Sequence, residues 1–259
     1  MKIFSPIIIF CLAATQLHAQ PNDKQSAESI VEKHIAAVGG TAAFDSVQSL
    51  IKEGTQNYFG IVEALKITYQ KDKLLRYDAE YNGKQGYWMV SPAEGGEFFP
   101  WETQAAVKFS ELNLKSLQGN LHPHDPLLNY KADSSQLALA GKDTVNKRVC
   151  YKIKLSSKKT NNLRTYWIDE TTNMVLRMEK YYLIRNKSND KFKACDRFDY
   201  SDYRDVGNIK LPFAEKFKTY ILKSLVGEKE SQFYKITINQ PVNPALYHIT
   251  PGTEITLAE

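Results

Sequence analysis

KLLRYDAEYNGKQGYWMV, residues 73–90, decides the fold class. Leu75, Tyr77, Ala79 and Tyr81 alternate with Arg76, Asp78 and Glu80. A period of two marks a strand with one dry face and one wet face, because successive side chains leave a strand on opposite sides. Asn82-Gly83 follows, a pair suited to the left-handed backbone of a two-residue hairpin turn. Gly86 to Val90 then returns as the partner strand. The unit predicts an antiparallel sheet.

The same period extends in both directions. Upstream, Ile61, Leu65, Ile67 and Tyr69 share a strand face that Glu63 interrupts. Downstream, Ser91 to Gly96 reads as a loop, and Phe98-Phe99-Pro100-Trp101 as an aromatic cluster. Ala106, Phe109, Leu112, Leu114 and Leu117 predict a helix inserted over Glu102 to Gln118. The prolines of Leu121 to Pro126 make that stretch a rigid loop. Beyond it, Val149, Tyr151, Ile153 and Leu155 alternate with Cys150, Lys152 and Lys154. Strand-like runs follow at Leu163 to Asp169, Met174 to Ile184, Phe192 to Tyr203, Ile209 to Tyr220 and Ser231 to Asn239, with polar links that include Leu225 to Gly227. Long strands that are neighbours in sequence make a meander, which twists and curls toward a barrel. The predicted fold is mainly β with some α: a strongly curved, unclosed antiparallel barrel whose helices cover the concave face.

The N-terminal region supplies those helices. Ala27, Ile30, Val31, His34, Ile35 and Val38 recur on one helical face over Lys24 to Val38. Asn22 or Asp23 would cap its start, and Gly39-Gly40 would stop it. Thr41 would cap a second short helix through Ala42, Phe44 and Val47. His34 reads as a satisfied histidine at the core edge, not as a ligand. Ahead of these, Lys2, the apolar run Ile3 to Ala14 and Leu17-His18-Ala19 have the layout of a secretory leader cleaved after Ala19. Residues 1–19 are therefore expected to be a signal peptide and 20–259 a single domain. The apolar run is shorter than the roughly 20 residues a membrane span needs. Phe10 is too large to precede a lipidated Cys11. A periplasmic protein with no membrane span after cleavage is expected. Cys150 and Cys195 fall three strands apart in the meander, too far for a disulfide at about 4.8 Å per strand, so both are expected as free thiols.

Reactive motifs are missing from the sequence. There is no nucleophile elbow, zinc-protease helix or phosphate-binding glycine loop. His122-Pro123-His124-Asp125 offers proper zinc ligands but no third partner at fixed spacing. The pairs Asp196/Asp199 and Asp202/Asp205 read as solvated strand and turn residues. Lys152, Lys154, Lys158 and Lys159 read as a solvated face, and a net charge of +5 spread along the chain does not make a nucleic-acid track. No cofactor, no metal and no enzymatic activity are expected. Apolar surface remains. A curved sheet needs its concave face covered, and an incompletely filled concavity binds apolar ligands. The candidate cavity liners are Tyr77, Trp88, Trp101, Phe109, Leu112, Trp167, Phe213 and Tyr234.

Four stretches together resemble the LolA/LolB-like periplasmic lipoprotein carriers and their outer membrane lipoprotein-sorting relatives. They are AESIVEKHIAAVGG at Ala27 to Gly40; KLLRY, GYWMV and SPAEG within Lys71 to Gly95; GKDTVNKRVCYKIKL and YWIDETTNMVLRME within Gly141 to Glu179; and DYRDVGNIKLPF at Asp202 to Phe213 with ITINQPVNPALYHITP at Ile236 to Pro251. The resemblance implies a bent, unclosed sheet around a helical plug with an apolar cavity between. It also implies a cargo of lipid or lipoprotein acyl chains. Those carriers usually open the second or third strand with Arg-Pro. Lys71-Asp72 stand there in this chain, which weighs against a LolA-type open-and-close hand-off and leaves the fold untouched. Two functions are expected to compete: a carrier for lipophilic or acylated cargo, and an envelope scaffold or interaction protein whose barrel is self-filled.

Overall fold

A computed structural model describes residues 25–92, 95–109, 114, 121, 125–157, 163–185 and 190–247. The chain begins with α1 (Ala27–Ala37) and α2 (Thr41–Asp45). Six strands follow: β1 (Ser49–Tyr58), β2 (Ile61–Gln70), β3 (Leu74–Tyr81), β4 (Lys84–Ser91), β5 (Gly95–Phe99) and β6 (Val107–Lys108). Seven more complete it: β7 (Gln136–Val145), β8 (Arg148–Ser156), β9 (Leu163–Asp169), β10 (Val175–Arg185), β11 (Lys191–Val206), β12 (Ile209–Ile221) and β13 (Ser224–Ile238).

All 13 strands form one antiparallel sheet, ordered β6-β5-β4-β3-β2-β1-β13-β12-β11-β10-β9-β8-β7. Every neighbour is also a neighbour in sequence except at one seam, where β1 pairs with β13. Two meanders, one from each half of the chain, are therefore zipped together by the first strand and the last. The outer strands β6 and β7 do not pair with each other, so the bent sheet is unclosed.

The hairpin that decided the fold class forms as read. Leu75 pairs with Val90, Tyr77 with Trp88 and Ala79 with Gly86. Asn82 and Gly83 take φ of 50° and 73°, the backbone of a type I′ turn. α1 starts three residues later than expected. Ser26 is its cap, with the side chain accepting from Ser29 N at 3.1 Å. The inserted helix needs a larger correction. Within Glu102 to Gln118, Val107–Lys108 is a strand opposite Glu97–Phe98, and residues 101–103 form a turn. Over residues 102–109, sheet hydrogen bonds to β5 outweigh the helical spacing of Ala106 and Phe109. Leu114 is helical, and its neighbours lie outside the described residues.

Alternation along the paired strands sorts the two faces. One carries ion pairs: Arg177–Asp199 at 2.5 Å, Arg197–Glu179 at 2.7 Å and Lys216–Glu228 at 2.8 Å. The other is mostly apolar and holds two core clusters. In the first, Ile30, Val31 and Ile35 of α1 join Phe44, Ile153, Tyr166 and Met178. In the second, Leu65, Ile67 and Leu75 join Phe213, Phe233 and Ile236. His34 fixes α1 in place: its ring N–H donates to the Asn173 carbonyl at 2.8 Å. Lys210 N donates to Val38 O at 2.9 Å and ties the helix end to β12. The helices thus fill the concave side mainly over β8 to β10.

Candidate functional site

Where those helices do not reach, the same face is hollow. A cavity of about 420 Å³ lies between the β2–β4 hairpins and the facing strands β11–β13. That is the size of a small-molecule site. On one wall, Tyr77 and Trp88 are cross-strand partners with rings stacked at 4.2 Å and 14°. Such a pair adds about 0.5–1.5 kcal/mol beyond area burial. Burial holds the Tyr77 phenol far above its usual range, and the charge of Glu215 pushes the same way, so it stays a neutral, largely apolar surface. Phe98 stands opposite Trp88 on β5. On the far wall, Phe198 of β11 and Phe217 of β12 are paired in register, with ring centroids 4.9 Å apart.

Trp101 closes one end. Its Nε1–H donates to Glu63 Oε1 at 2.9 Å, and its ring lies 5.0 Å from that of Tyr81. Glu63 is only 7% exposed and also accepts from Gln56 Nε2 at 3.3 Å. This explains the acid that interrupts the β2 face. It is bonded in place and anchors the Trp101 indole over the hollow. Glu215 is likewise engaged, paired with Lys52 at 2.5 Å.

The eight sequence-derived candidates separate in the structure. Tyr77, Trp88 and Trp101 line the cavity. Phe109 packs beside the second cluster, and Phe213 is inside it. Leu112 lies outside the described residues. Trp167 is on the other face from Tyr166: its Nε1–H donates to Asp143 Oδ2 at 3.0 Å, and Lys152 Nζ sits 4.8 Å over its ring. β9 is buried on both faces from Thr165 to Asp169, so alternation could not assign it. Tyr234 is 68% exposed. It is the extra residue of a bulge, since Gly54 pairs with Phe233 and Glu53 with Lys235; the unpaired residue turns outward. Sequence reasoning missed Glu63, Phe198, Phe217 and Lys229. Only Glu63 left a signal, as a charge within an apolar alternation.

The described residues hold no group of three or more metal-type ligands. Asp125, the one described member of the His-Pro-His-Asp string, accepts from Tyr166 OH at 2.5 Å and Leu127 N at 2.8 Å. Asp199, Asp202 and Asp205 pair with Arg177, Arg204 and Lys210. Asp196 accepts from Tyr182 and Thr219 hydroxyls. Cys150 and Cys195 are free thiols. No described helix is long and apolar enough to cross a membrane.

A second hollow of about 450 Å³ lies on the ion-pair face, where Asn57, Asp199, Lys216 and Gln232 line it. Its polar walls do not suit an apolar ligand.

Among solved structures, likenesses do exist. The chain is similar to LolA superfamily proteins. One, from Nitrosomonas europaea, is 10% identical, with 86% of this chain and 98% of that one covered and a TM-score of 0.49. A putative outer membrane lipoprotein-sorting protein domain from Vibrio parahaemolyticus is 8% identical over 87% and 97% of the two chains, with a TM-score of 0.48. A DUF1329 family protein from Desulfovibrio piger is 12% identical over 88% and 99%, with a TM-score of 0.46. No family model and no curated protein matches the chain. Likeness at this level concerns strand layout, and chemistry has to be argued from the residues themselves.

Proposed function

We propose that this protein is a periplasmic binding or carrier protein for a lipophilic or acylated cargo, a lipid or the acyl chains of a lipoprotein, in the Gram-negative envelope. One observation carries the reading: the N-terminal helices fill the concave side over β8 to β10, while an aromatic-walled cavity of about 420 Å³ is left beside β2 to β4. Burying a methylene is worth about 0.8 kcal/mol. A ten-carbon chain therefore gains about 8 kcal/mol before the costs of association, with no catalytic group required. The sequence layout of a leader ending at Ala19 supports export, with 20–259 as the working domain. The hollow among the described residues supports this reading over a scaffold with a self-filled barrel.

Native mass spectrometry of protein purified without detergent tests the proposal. Adducts in the lipid mass range, removed by solvent extraction, are the expected result. An adduct-free mass, together with no spectral change in an added fluorescent fatty acid, would refute it.

A further inference from the structure

Lys229 lies in the wall of the cavity. Strand register sets it in a row of side chains running Phe198, Phe217, Lys229, Tyr58 across four adjacent strands. Its Nζ is 5.6 Å from the centroid of the Tyr58 ring. No carboxylate among the described residues stands within ion-pair distance of it.

The carboxylates at the same cavity are placed differently. Glu215 is held by Lys52. Glu63 is occupied by the Trp101 and Gln56 donors. Glu102 is exposed to water. Lys229 is thus a half-buried charge without an ion-pair partner among the described residues: the Tyr58 ring lies beside it, and the Glu63 carboxylate, whose own donors are neutral, acts on it only through its charge. Such a cation is costly to keep away from water unless an anion compensates it. Burial pulls the ammonium below its usual range, while Glu63 pulls it back up. An acyl chain by itself gains nothing from a cation in the wall.

We propose that the cargo ends in an anionic head group, a carboxylate or a phosphate, and that Lys229 Nζ is its contact. The chain then runs along the Tyr77–Trp88 stack toward Trp101. A lysine is suited to such a contact, because it is a compact charge with three rotatable donors and meets either head group as a point charge. The inference rests on the acyl-binding reading above and names the class of cargo.

Calorimetric titration of the lipid-stripped protein tests it, with decanoate, decyl phosphate, decanol and acetate as probes below their micelle concentrations. The native protein should bind both anionic chains at least tenfold tighter than decanol, and acetate at least a hundredfold more weakly than decanoate. Lys229→Gln should lose at least tenfold for the anionic chains and keep decanol within twofold. Lys229→Arg should keep the anionic chains within about threefold. Equal affinity of the native protein for decanol and decanoate would overturn the head-group contact and leave acyl binding intact. So would an equal loss for all three chains in Lys229→Gln. Acetate binding as tight as decanoate would mark a small-anion site and overturn it as well. Binding of no chain at all would remove the carrier reading and this inference together.

Discussion

Gly54→Ala tests the seam that joins the two meanders. A Cβ at Gly54 would stand 2.2 Å from the Gln232 carbonyl oxygen and 2.7 Å from Phe233 Cα. Both are backbone atoms of β13, so no side-chain rotation relieves the clash. The strands must separate where β1 and β13 already shift register, between Glu53 and Gly54. Overpacking of this kind costs about 1–3 kcal/mol, and each ladder hydrogen bond opened costs about 1 more. A loss of about 3 kcal/mol follows. For a domain of this size each kcal/mol moves the midpoint by roughly 2–4 °C, so the Tm should fall by about 6–12 °C. Gly227→Ala is the control, because its added Cβ would meet only Thr219 Cβ at 3.8 Å. It should stay within about 0.5 kcal/mol of the native protein, as ordinary surface changes do. Urea unfolding followed by far-UV dichroism reads both variants. A Gly54→Ala protein as stable as the control would refute the close β1–β13 approach, and with it the joining of the two halves by first and last strands.

Two further predictions concern titratable groups. Burial depresses His34 below the usual 6.5, partly offset by its hydrogen bond to Asn173 O and by the charge of Asp125. The unfolded chain therefore takes the proton first, and the stability His34 contributes is complete above about pH 6.5 and is lost as pH falls below that. Urea midpoints should drop on acidification from pH 7 to 5, and His34→Gln should flatten that drop; an unchanged slope would count against the buried neutral ring. Cys150 is fully buried, and burial pushes the Cys195 thiol up to about 11, with Glu179 adding to the effect. Both should react slowly with a disulfide reagent at pH 8 in the folded protein, Cys150 slower than Cys195, and both should react at once in denaturant without reductant; missing thiols there would reveal a disulfide.

Much of the architecture was legible because it is local. Residues 73–90 carry their own period, turn and return strand, and β8 to β12 repeat that logic. What was not legible depends on distant parts of the chain. The pairing of β1 with β13 joins residues nearly the whole domain apart, and no local pattern announces it. The β12–β13 turn falls on Leu222-Lys223, at φ of 49° and 71°, where the sequence offered Leu225 to Gly227. Side chains other than Gly or Asn pay about 1–2 kcal/mol for that conformation, so propensity pointed elsewhere. β7 was missed because it is a mostly exposed edge strand with a register shift between Leu139 and Lys142. The candidate site divides along the same line. Tyr77 and Trp88 were readable because their strands alternate cleanly. Trp167 and Tyr234 were not, since one lies on a strand buried on both faces and the other is expelled by a bulge. Phe198, Phe217 and Lys229 face the hollow only because the sheet bends, which their own segments do not encode.

Filling the hollow tests the acyl-binding proposal most directly. Ala79 lines the cavity beside Tyr77, and Ala79→Trp would place an indole inside it. A fluorescent fatty acid should bind the native protein and bind Ala79→Trp at least tenfold more weakly, with unfolding of the variant still cooperative. Unchanged affinity in a folded Ala79→Trp protein would mean that the chain lodges elsewhere, and that the space beside β2 to β4 is not the cargo site.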